Sequence, residues 1–142
     1  CNEGDGTWNI SEVIGHLIEG ERNDWIPRLK IIISEGERQT FTPFDRNAHL
    51  KEKQSALELK LQEFKTLRAN NIEVLKSLID PAKHLELTGT HPAFGVVKLR
   101  ELLATWVVHD LTHIAQIVRV MAERYREDVG PWVEYLGILN KS

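Results

Sequence analysis

Apolar positions recur at helical spacing in three long segments of the chain, which predict helices over residues 10–34, 50–79 and 99–126. Between them lie two stretches, 35–49 and 82–95, in which Gly, Pro, Asn, Asp and Thr interrupt the pattern and predict loops. No segment shows the sustained alternation that is typical of a strand. We therefore expect an all-α fold of antiparallel helices packed as a bundle, in a single domain over residues 1–142.

The first predicted helix carries clear local signals. Asn9 followed by Glu12 is a capping-box pair, which predicts that the helix begins at residue 10. Pro27 is expected to kink the helix, and Gly20 is expected to let another group approach it closely. The predicted core-facing stripe consists of Ile10, Ile14, Leu17, Ile18, Trp25, Leu29 and Ile32.

Each of the three predicted helices places one charged residue on its apolar stripe, namely Glu21, Arg68 and Asp110. A guanidinium is very costly to bury alone, so we expect Arg68 to pair with Glu21 or Asp110. The pair has two interpretations: a core ion pair that fixes the packing, or an arginine that holds an anionic group of a ligand. His16 projects from the side opposite the stripe, and periodicity alone predicts that it faces solvent.

The third predicted helix contains His109 and His113, four residues apart, with His113 inside the stripe and His109 at its edge. This spacing places both imidazoles on one side of a helix, where they can reach one metal ion. The alternative is two core histidines that are hydrogen-bonded to backbone carbonyls or to Asp110. The stripe itself is predicted to contain Leu99, Leu102, Leu103, Trp106, Ile117, Val120 and Met121.

The loops contain other histidines and aromatic residues. His49, His84 and His91 are expected to be solvated, as lone loop histidines usually are. Phe41 and Phe44 are expected to cap the bundle, with the lining of a pocket as the alternative.

Composition and charge exclude several classes of partner. The chain is 42% hydrophobic and 27% charged, with a formal net charge of −3 and no dense basic face, so neither nucleic acid nor an anionic membrane surface is an expected partner. No apolar run is long enough to span a bilayer. Cys1 is the only cysteine, and the opening residues are too polar for a signal peptide, which favours a cytoplasmic location. The absence of an initial methionine suggests that an upstream portion is missing.

Four segments together resemble the DinB-like, or YfiT-like, metalloprotein superfamily. They are the stretch from Trp8 to Glu21 (WNISEVIGHLIEGE), the sequence THPAFG at 90–95, the stretch from Leu102 to Ile117 (LLATWVVHDLTHIAQI), and GPW at 130–132. The match spans nearly the whole chain.

This resemblance implies a four-helix bundle with a divalent metal, zinc or nickel, held by His16, His109 and His113. It overrides the periodicity argument against His16. The family's first helix precedes the Trp8 motif and has no counterpart here, so an apolar groove is expected to be exposed and filled by a partner chain, which predicts a homodimer.

The resemblance also implies an activity, because characterised family members are thiol-dependent transferases. We expect a small-molecule thiol and an electrophile as substrates, with Asp110 or Glu21 orienting a ligand imidazole and Gln116 bonding a substrate or a water at the metal. Arg68 is a candidate ligand-binding residue. The alternatives are metal-assisted hydrolysis at the same site and a non-enzymatic, stress-related bundle.

Overall fold

The computed structural model describes residues 1–53 and 55–140. The chain is mostly helical, with five α-helices, a β-hairpin and short 3-10 turns in that part. The helices and strands are α1 (Ile10–Asn23), α2 (Trp25–Ser34), α3 (Leu57–Leu78), α4 (Pro81–His84), β1 (Thr88–His91), β2 (Gly95–Lys98) and α5 (Leu99–Glu123). The 3-10 turns are Gly36–Arg38, Ala48–Lys51, Gly130–Tyr135 and Gly137–Leu139.

The predicted start of the first helix is confirmed, but the segment 10–34 forms two helices. The Asn9 side chain accepts a hydrogen bond from the Glu12 amide at 2.8 Å, and the Asn9 amide donates to Glu12 Oε1 at 3.0 Å. The helix breaks at Asp24, whose φ and ψ are −110° and −75°. Pro27 has no N–H to donate to the carbonyl of Asn23, four residues earlier, so the helical ladder is interrupted where the break occurs.

The second long helix begins at Leu57 instead of residue 50, and residues Ala48–Lys51 form a separate 3-10 turn. The predicted apolar face of α3 is only partly covered, since Leu57, Leu61 and Ile72 are exposed. Asn71 is buried, and its side-chain amide donates to the backbone carbonyl of Glu21 at 2.8 Å. This bond fixes α3 against the part of α1 that carries Glu21.

The strand-free prediction is wrong, because residues 88–98 form an antiparallel hairpin in the segment that was predicted as a loop. Its register runs from Thr88 opposite Lys98 to His91 opposite Gly95. Each strand has four residues, too few for an alternation signal, although Thr and Val are favoured in strands. Gly95, at φ +76°, supplies the left-handed residue that the turn requires.

The main core lies where α2 and α5 meet. The Trp25 and Trp106 rings are stacked at 5.7 Å with planes 8° apart. A Cβ at Gly20 would lie 3.3 Å from the Trp25 indole nitrogen, which confirms the predicted close approach at this glycine. The buried cluster comprises Trp25, Ile26, Leu29, Ile32, Phe41, Leu99, Leu102 and Trp106, and a smaller one comprises Ile14, Leu17 and Ile18.

The side of α5 that faces away from the main core exposes a row of large apolar residues, here called the outer stripe: Val107, Leu111, Ile114, Val118 and Met121. Each is between 45% and 61% exposed. Met121 was predicted to belong to the core stripe, and this is wrong, because the last turns of α5 bury only Val120. In the described part of the chain, no helix is both long enough and apolar enough to cross a bilayer.

Candidate metal centre

Three imidazoles from two helices converge at one point. His16 comes from α1, and His109 and His113 come from adjacent turns of α5. The His109 Nε2 atom lies 3.2 Å from the Nε2 of His16 and 3.2 Å from the Nε2 of His113. One nitrogen of each residue lies within 4.8 Å of the other two, a spacing that allows a shared metal ion. The structure thus brings together the three histidines that the resemblance singled out.

The periodicity-based prediction that His16 faces solvent is wrong, since only 4% of the residue is exposed. The side of α1 that carries His16 faces His109 and His113 of α5, and it is covered further by the chain on either side of α1. The Trp8 ring packs against His16 at 5.0 Å, and the Phe44 ring lies 5.8 Å away at a steep angle. Phe44 therefore lines the site, whereas Phe41 lies in the main core as predicted.

Hydrogen bonds on the outer side of the rings fix the tautomers of two histidines. His16 Nδ1 donates to the Arg46 carbonyl at 3.2 Å, and His113 Nδ1 donates to Gln116 Oε1 at 2.8 Å. Both acceptors lack a proton of their own, so the Nε2 atoms of both rings carry lone pairs. His109 Nε2 can donate a proton to only one of them. A cation between the three nitrogens satisfies both 3.2 Å contacts, which a hydrogen bond cannot do.

The electrostatic environment keeps two of these imidazoles neutral. Burial, followed by the neighbouring His113 and His109, lowers the pKa of His16 to about 3. Burial and His113 lower the pKa of His109 to about 4. Neutral imidazole is the form that binds metal, so at pH 7 the site presents a donor set that zinc, nickel and similar divalent ions accept.

Beneath the histidines, Arg68 binds both of the carboxylates with which it was predicted to pair. Its Nε atom donates to Glu21 at 2.5 Å, and its two terminal nitrogens donate to the two Asp110 oxygens at 2.8 Å each. The Trp106 indole donates to Glu21 at 3.1 Å. Burial lowers the pKa of Arg68, but the hydrogen bonds to Asp110 and Glu21 more than offset this and raise it above its usual value.

In the described residues neither Asp110 nor Glu21, which were expected to orient a ligand imidazole, hydrogen-bonds a histidine, because both carboxylates bind Arg68. The Nδ1 atoms of His16 and His113 contact the Arg46 carbonyl and Gln116, and the buried Nδ1 of His109 has no hydrogen-bond partner there. Gln116 was expected to bond a substrate or water, and its oxygen bonds His113. With two carboxylates and one guanidinium, the network has a formal charge of −1 and complements a nearby cation.

His49 is a residue that sequence reasoning placed wrongly. It was predicted to be solvated, but it is 5% exposed, with its ring 4.7 Å from Trp8 and 5.7 Å from His16. A Cβ at Gly15 would lie 3.2 Å from His49 Cδ2, so only glycine leaves room for this ring. The glycine immediately before His16 was the available signal. Burial lowers the pKa of His49.

The other two loop histidines take part in local structure. His84 Nδ1 accepts a hydrogen bond from the Asp80 amide at 3.0 Å, and His91 Nδ1 accepts from the Ala93 amide at 2.9 Å. Both lie outside the three-histidine cluster.

Comparisons with known proteins place this geometry in context. The family model of the DinB superfamily matches residues 2–117, which confirms the resemblance. One similar solved structure is YfiT from Bacillus subtilis, described as a probable metal-dependent hydrolase with an unusual four-helix bundle topology. It is 24% identical, covers 87% of this chain and 71% of its own, and superimposes with a TM-score of 0.72, which indicates the same fold. No curated protein matches the chain. With a family match over most of its length, the chain belongs to the DinB superfamily.

Proposed function

We propose that this protein is a metal-dependent enzyme that transfers a low-molecular-weight thiol to an electrophilic small molecule, with His16, His109 and His113 as the metal ligands. The observation that carries the proposal is the convergence of three Nε2 atoms, two of them deprotonated because of their hydrogen-bond partners. Three protein ligands leave a divalent ion with room for an exogenous ligand, as in catalytic rather than structural sites.

The groups around the triad favour thiol transfer over hydrolysis. A bound zinc or nickel ion supplies a positive charge that lowers the pKa of a thiol. Hydrolysis of an amide, or of an ester with a strongly basic leaving group, is faster when a group protonates the leaving group, yet Glu21 and Asp110 are both engaged by Arg68. Thiolate attack on a chloro-aromatic acceptor needs no such group, because the C–S bond forms, the C–Cl bond breaks and chloride leaves as an anion.

The chain's own residues hold the site in shape during this reaction. Gln116 and the Arg46 carbonyl keep the protons of His113 and His16 on Nδ1, so that Nε2 stays available. Trp8 and Phe44 cover His16 and limit the access of water. Arg68 and its two carboxylates hold α1, α3 and α5 together below the triad.

Metal analysis followed by a thiol panel tests this function. We expect about one zinc or nickel ion per chain, and a metal-dependent conversion of 1-chloro-2,4-dinitrobenzene with at least one of cysteine, glutathione, bacillithiol or 2-mercaptoethanol. His16→Ala, His109→Ala and His113→Ala should each abolish metal binding and turnover, whereas the control His84→Ala should retain both. Unaltered metal content in all three variants would contradict the shared site.

Metal-dependent hydrolysis is the second candidate, favoured by the likeness to YfiT, which is described as a probable hydrolase. The same metal-loaded samples should be incubated with p-nitrophenyl esters and with a chromogenic amide. Hydrolysis that is lost in His113→Ala, together with no thiol transfer, would favour this candidate over the first.

We also propose that the outer stripe of α5 pairs with the same stripe of a second copy. Its members are spaced alternately by four and three residues, the pattern of a helix–helix seam, and it contains no charged residue. Sedimentation of the wild-type chain should show a dimer, and Leu111→Asp should give a monomer. The control Thr112→Asp adds the same charge one position away and should remain dimeric. A wild-type monomer at high micromolar concentration would instead point to another helix as the occupant.

A further inference from the structure

A cleft on the outer side of the triad is built from residues that also fix two of the histidines. It has a volume of about 350 Å³. The Arg46 backbone carbonyl accepts a hydrogen bond from His16 Nδ1, and Gln116 Oε1 accepts one from His113 Nδ1. The cleft is lined by Gly6, Thr7, Trp8, Arg46, Asn47 and Gln116.

Arg46 gives this cleft an unneutralised positive charge. Its guanidinium lies over the Trp8 ring at 5.4 Å, which fixes its position at the wall of the cleft. In the described ranges 1–53 and 55–140, no carboxylate lies within 4.0 Å of it, and no acidic residue lines the cleft. Of the nine arginines in the chain, Arg124 is the only other one that forms no ion pair with the described residues.

The amides in the cleft add hydrogen-bond donors of neutral charge. The Gln116 oxygen is occupied by His113, so its NH₂ group remains as a donor. A guanidinium beside amide donors is the combination that binds carboxylate and phosphate oxygens. Arg68, the arginine that the sequence suggested for this role, is already bound by two carboxylates, which neutralise its positive charge.

We infer that this cleft binds the anionic group, a carboxylate or a phosphate, of a small-molecule substrate, and that Arg46 is the residue that selects for it. The inference rests on the proposed function, because Arg46 and Gln116, which line the cleft, hydrogen-bond His16 and His113 and so place the cleft beside the proposed metal ligands. It assigns the substrate class of the site: a small molecule that carries a carboxylate or a phosphate.

Two thiols that differ in a single group test the inference. Mercaptoacetate and 2-mercaptoethanol are similar in size, but only the first carries a carboxylate. Calorimetric titration of the zinc-loaded wild-type protein gives the ratio of the affinities for mercaptoacetate and 2-mercaptoethanol. This ratio should fall about fivefold in Arg46→Gln, the effect of one exposed charge-assisted contact, because the direct contacts of each thiol with zinc are the same in both proteins. Arg46→Lys should show a smaller fall.

Arg124→Gln is the matched control, since it removes the other arginine that lacks an ion pair in the described residues, and it should keep the wild-type ratio. A ratio that is unchanged in Arg46→Gln would overturn the inference. Zinc content measured on the same samples separates the two levels, because failure to take up zinc contradicts the metal site and not the cleft.

A second measurement tests the cleft without metal. Acetate, inorganic phosphate and neutral acetamide are titrated into the metal-free protein while the Trp8 indole and the Asn47 and Gln116 side-chain amides are followed by NMR. The two anions should shift these signals in wild type and leave them unmoved in Arg46→Gln, and acetamide should not shift them. Equal responses to acetate and acetamide would overturn the inference, and a response to phosphate alone would identify the anion as a phosphate.

Discussion

Both sides of α5 depart from the usual distribution of polar and apolar residues. The inner side buries His113 and half-buries His109 and Asp110 among apolar residues, whereas the outer stripe leaves five large apolar side chains in solvent. Buried ionisable groups are stable only with partners, and here Asp110 binds Arg68 while His113 contacts His109 and Gln116. A row of exposed apolar groups is typical of a surface that packs against another protein. The proposed catalytic function therefore depends on the inner side of α5, and the proposed dimer depends on its outer stripe.

The largest effect is expected from removal of the charge that links the inner side of α5 to α1 and α3. Arg68→Met leaves Glu21 and Asp110 without the guanidinium, and breaking this partly buried ion network costs up to about 3–5 kcal/mol. Urea denaturation of the metal-free chain measures the loss. The control Arg100→Met removes an exposed pair with Glu86 and should have a much smaller effect.

The next effect compares one leucine from each side of α5. Leu102→Ala opens a cavity in the main core and should lower the free energy of unfolding by about 2–5 kcal/mol. Leu111→Ala removes the same atoms from an exposed position and should change it by less than about 0.5 kcal/mol, when both are measured at a concentration at which the chain is monomeric. Similar losses in the two variants would show that the outer stripe is covered within a single chain.

The pH dependence of stability tests whether the inner side holds neutral imidazoles. The pKa values of His16 and His109 are lowered to about 3 and about 4, so the unfolded chain binds more protons than the folded chain below pH 6.5. Their contribution is present above pH 6.5 and is lost as the pH falls toward 4, with an upper limit of about 1.4 kcal/mol per pH unit for each group.

Urea denaturation of the metal-free protein at pH 7 and pH 5 should therefore show a drop of up to about 4 kcal/mol, about 2 kcal/mol for each imidazole. The double variant His16→Gln, His109→Gln should flatten this dependence. A wild-type stability that is the same at both pH values would mean that these imidazoles are protonated in the folded state.

The smallest effect concerns the hydrogen bond that orients His113. Gln116→Leu removes the acceptor for its Nδ1 proton and should weaken zinc binding by about tenfold, because the groups that orient a ligand contribute less than the ligand itself. Competition with a chromophoric chelator measures the affinity. The control Gln62→Leu changes an exposed glutamine on α3 and should leave the affinity unchanged.

The sequence predicted what local chemistry determines. The capping box at Asn9, the partners of Arg68 and the close approach at Gly20 were all readable, because each depends on a charge or a side-chain volume that must be accommodated. The family resemblance identified His16, His109 and His113. The helix–loop alternation also followed from periodicity, apart from the break at Asp24, the later start of α3 at Leu57 and the hairpin at 88–98.

The failures share one physical cause, which is burial by segments distant in the chain or without regular structure. Helix α1 is buried on nearly every side, so its apolar stripe could not show that the opposite side, with His16, is also covered. The covering groups are His109 and His113 on the distant helix α5, and Trp8 and His49 outside the long helices. The periodicity of one helix cannot predict a contact with a residue in another segment. Arg46, which lies outside the helices, was missed for the same reason.

The fit of the His49 ring over Gly15 has a consequence for how this site can vary among relatives. A methyl group at position 15 would press on His49 Cδ2 at 3.2 Å, so a larger residue there requires a smaller or displaced one at position 49. The two positions should therefore covary: sequences with alanine or serine in place of Gly15 should lack an aromatic or imidazole ring at 49, while those that keep the glycine remain free to retain it.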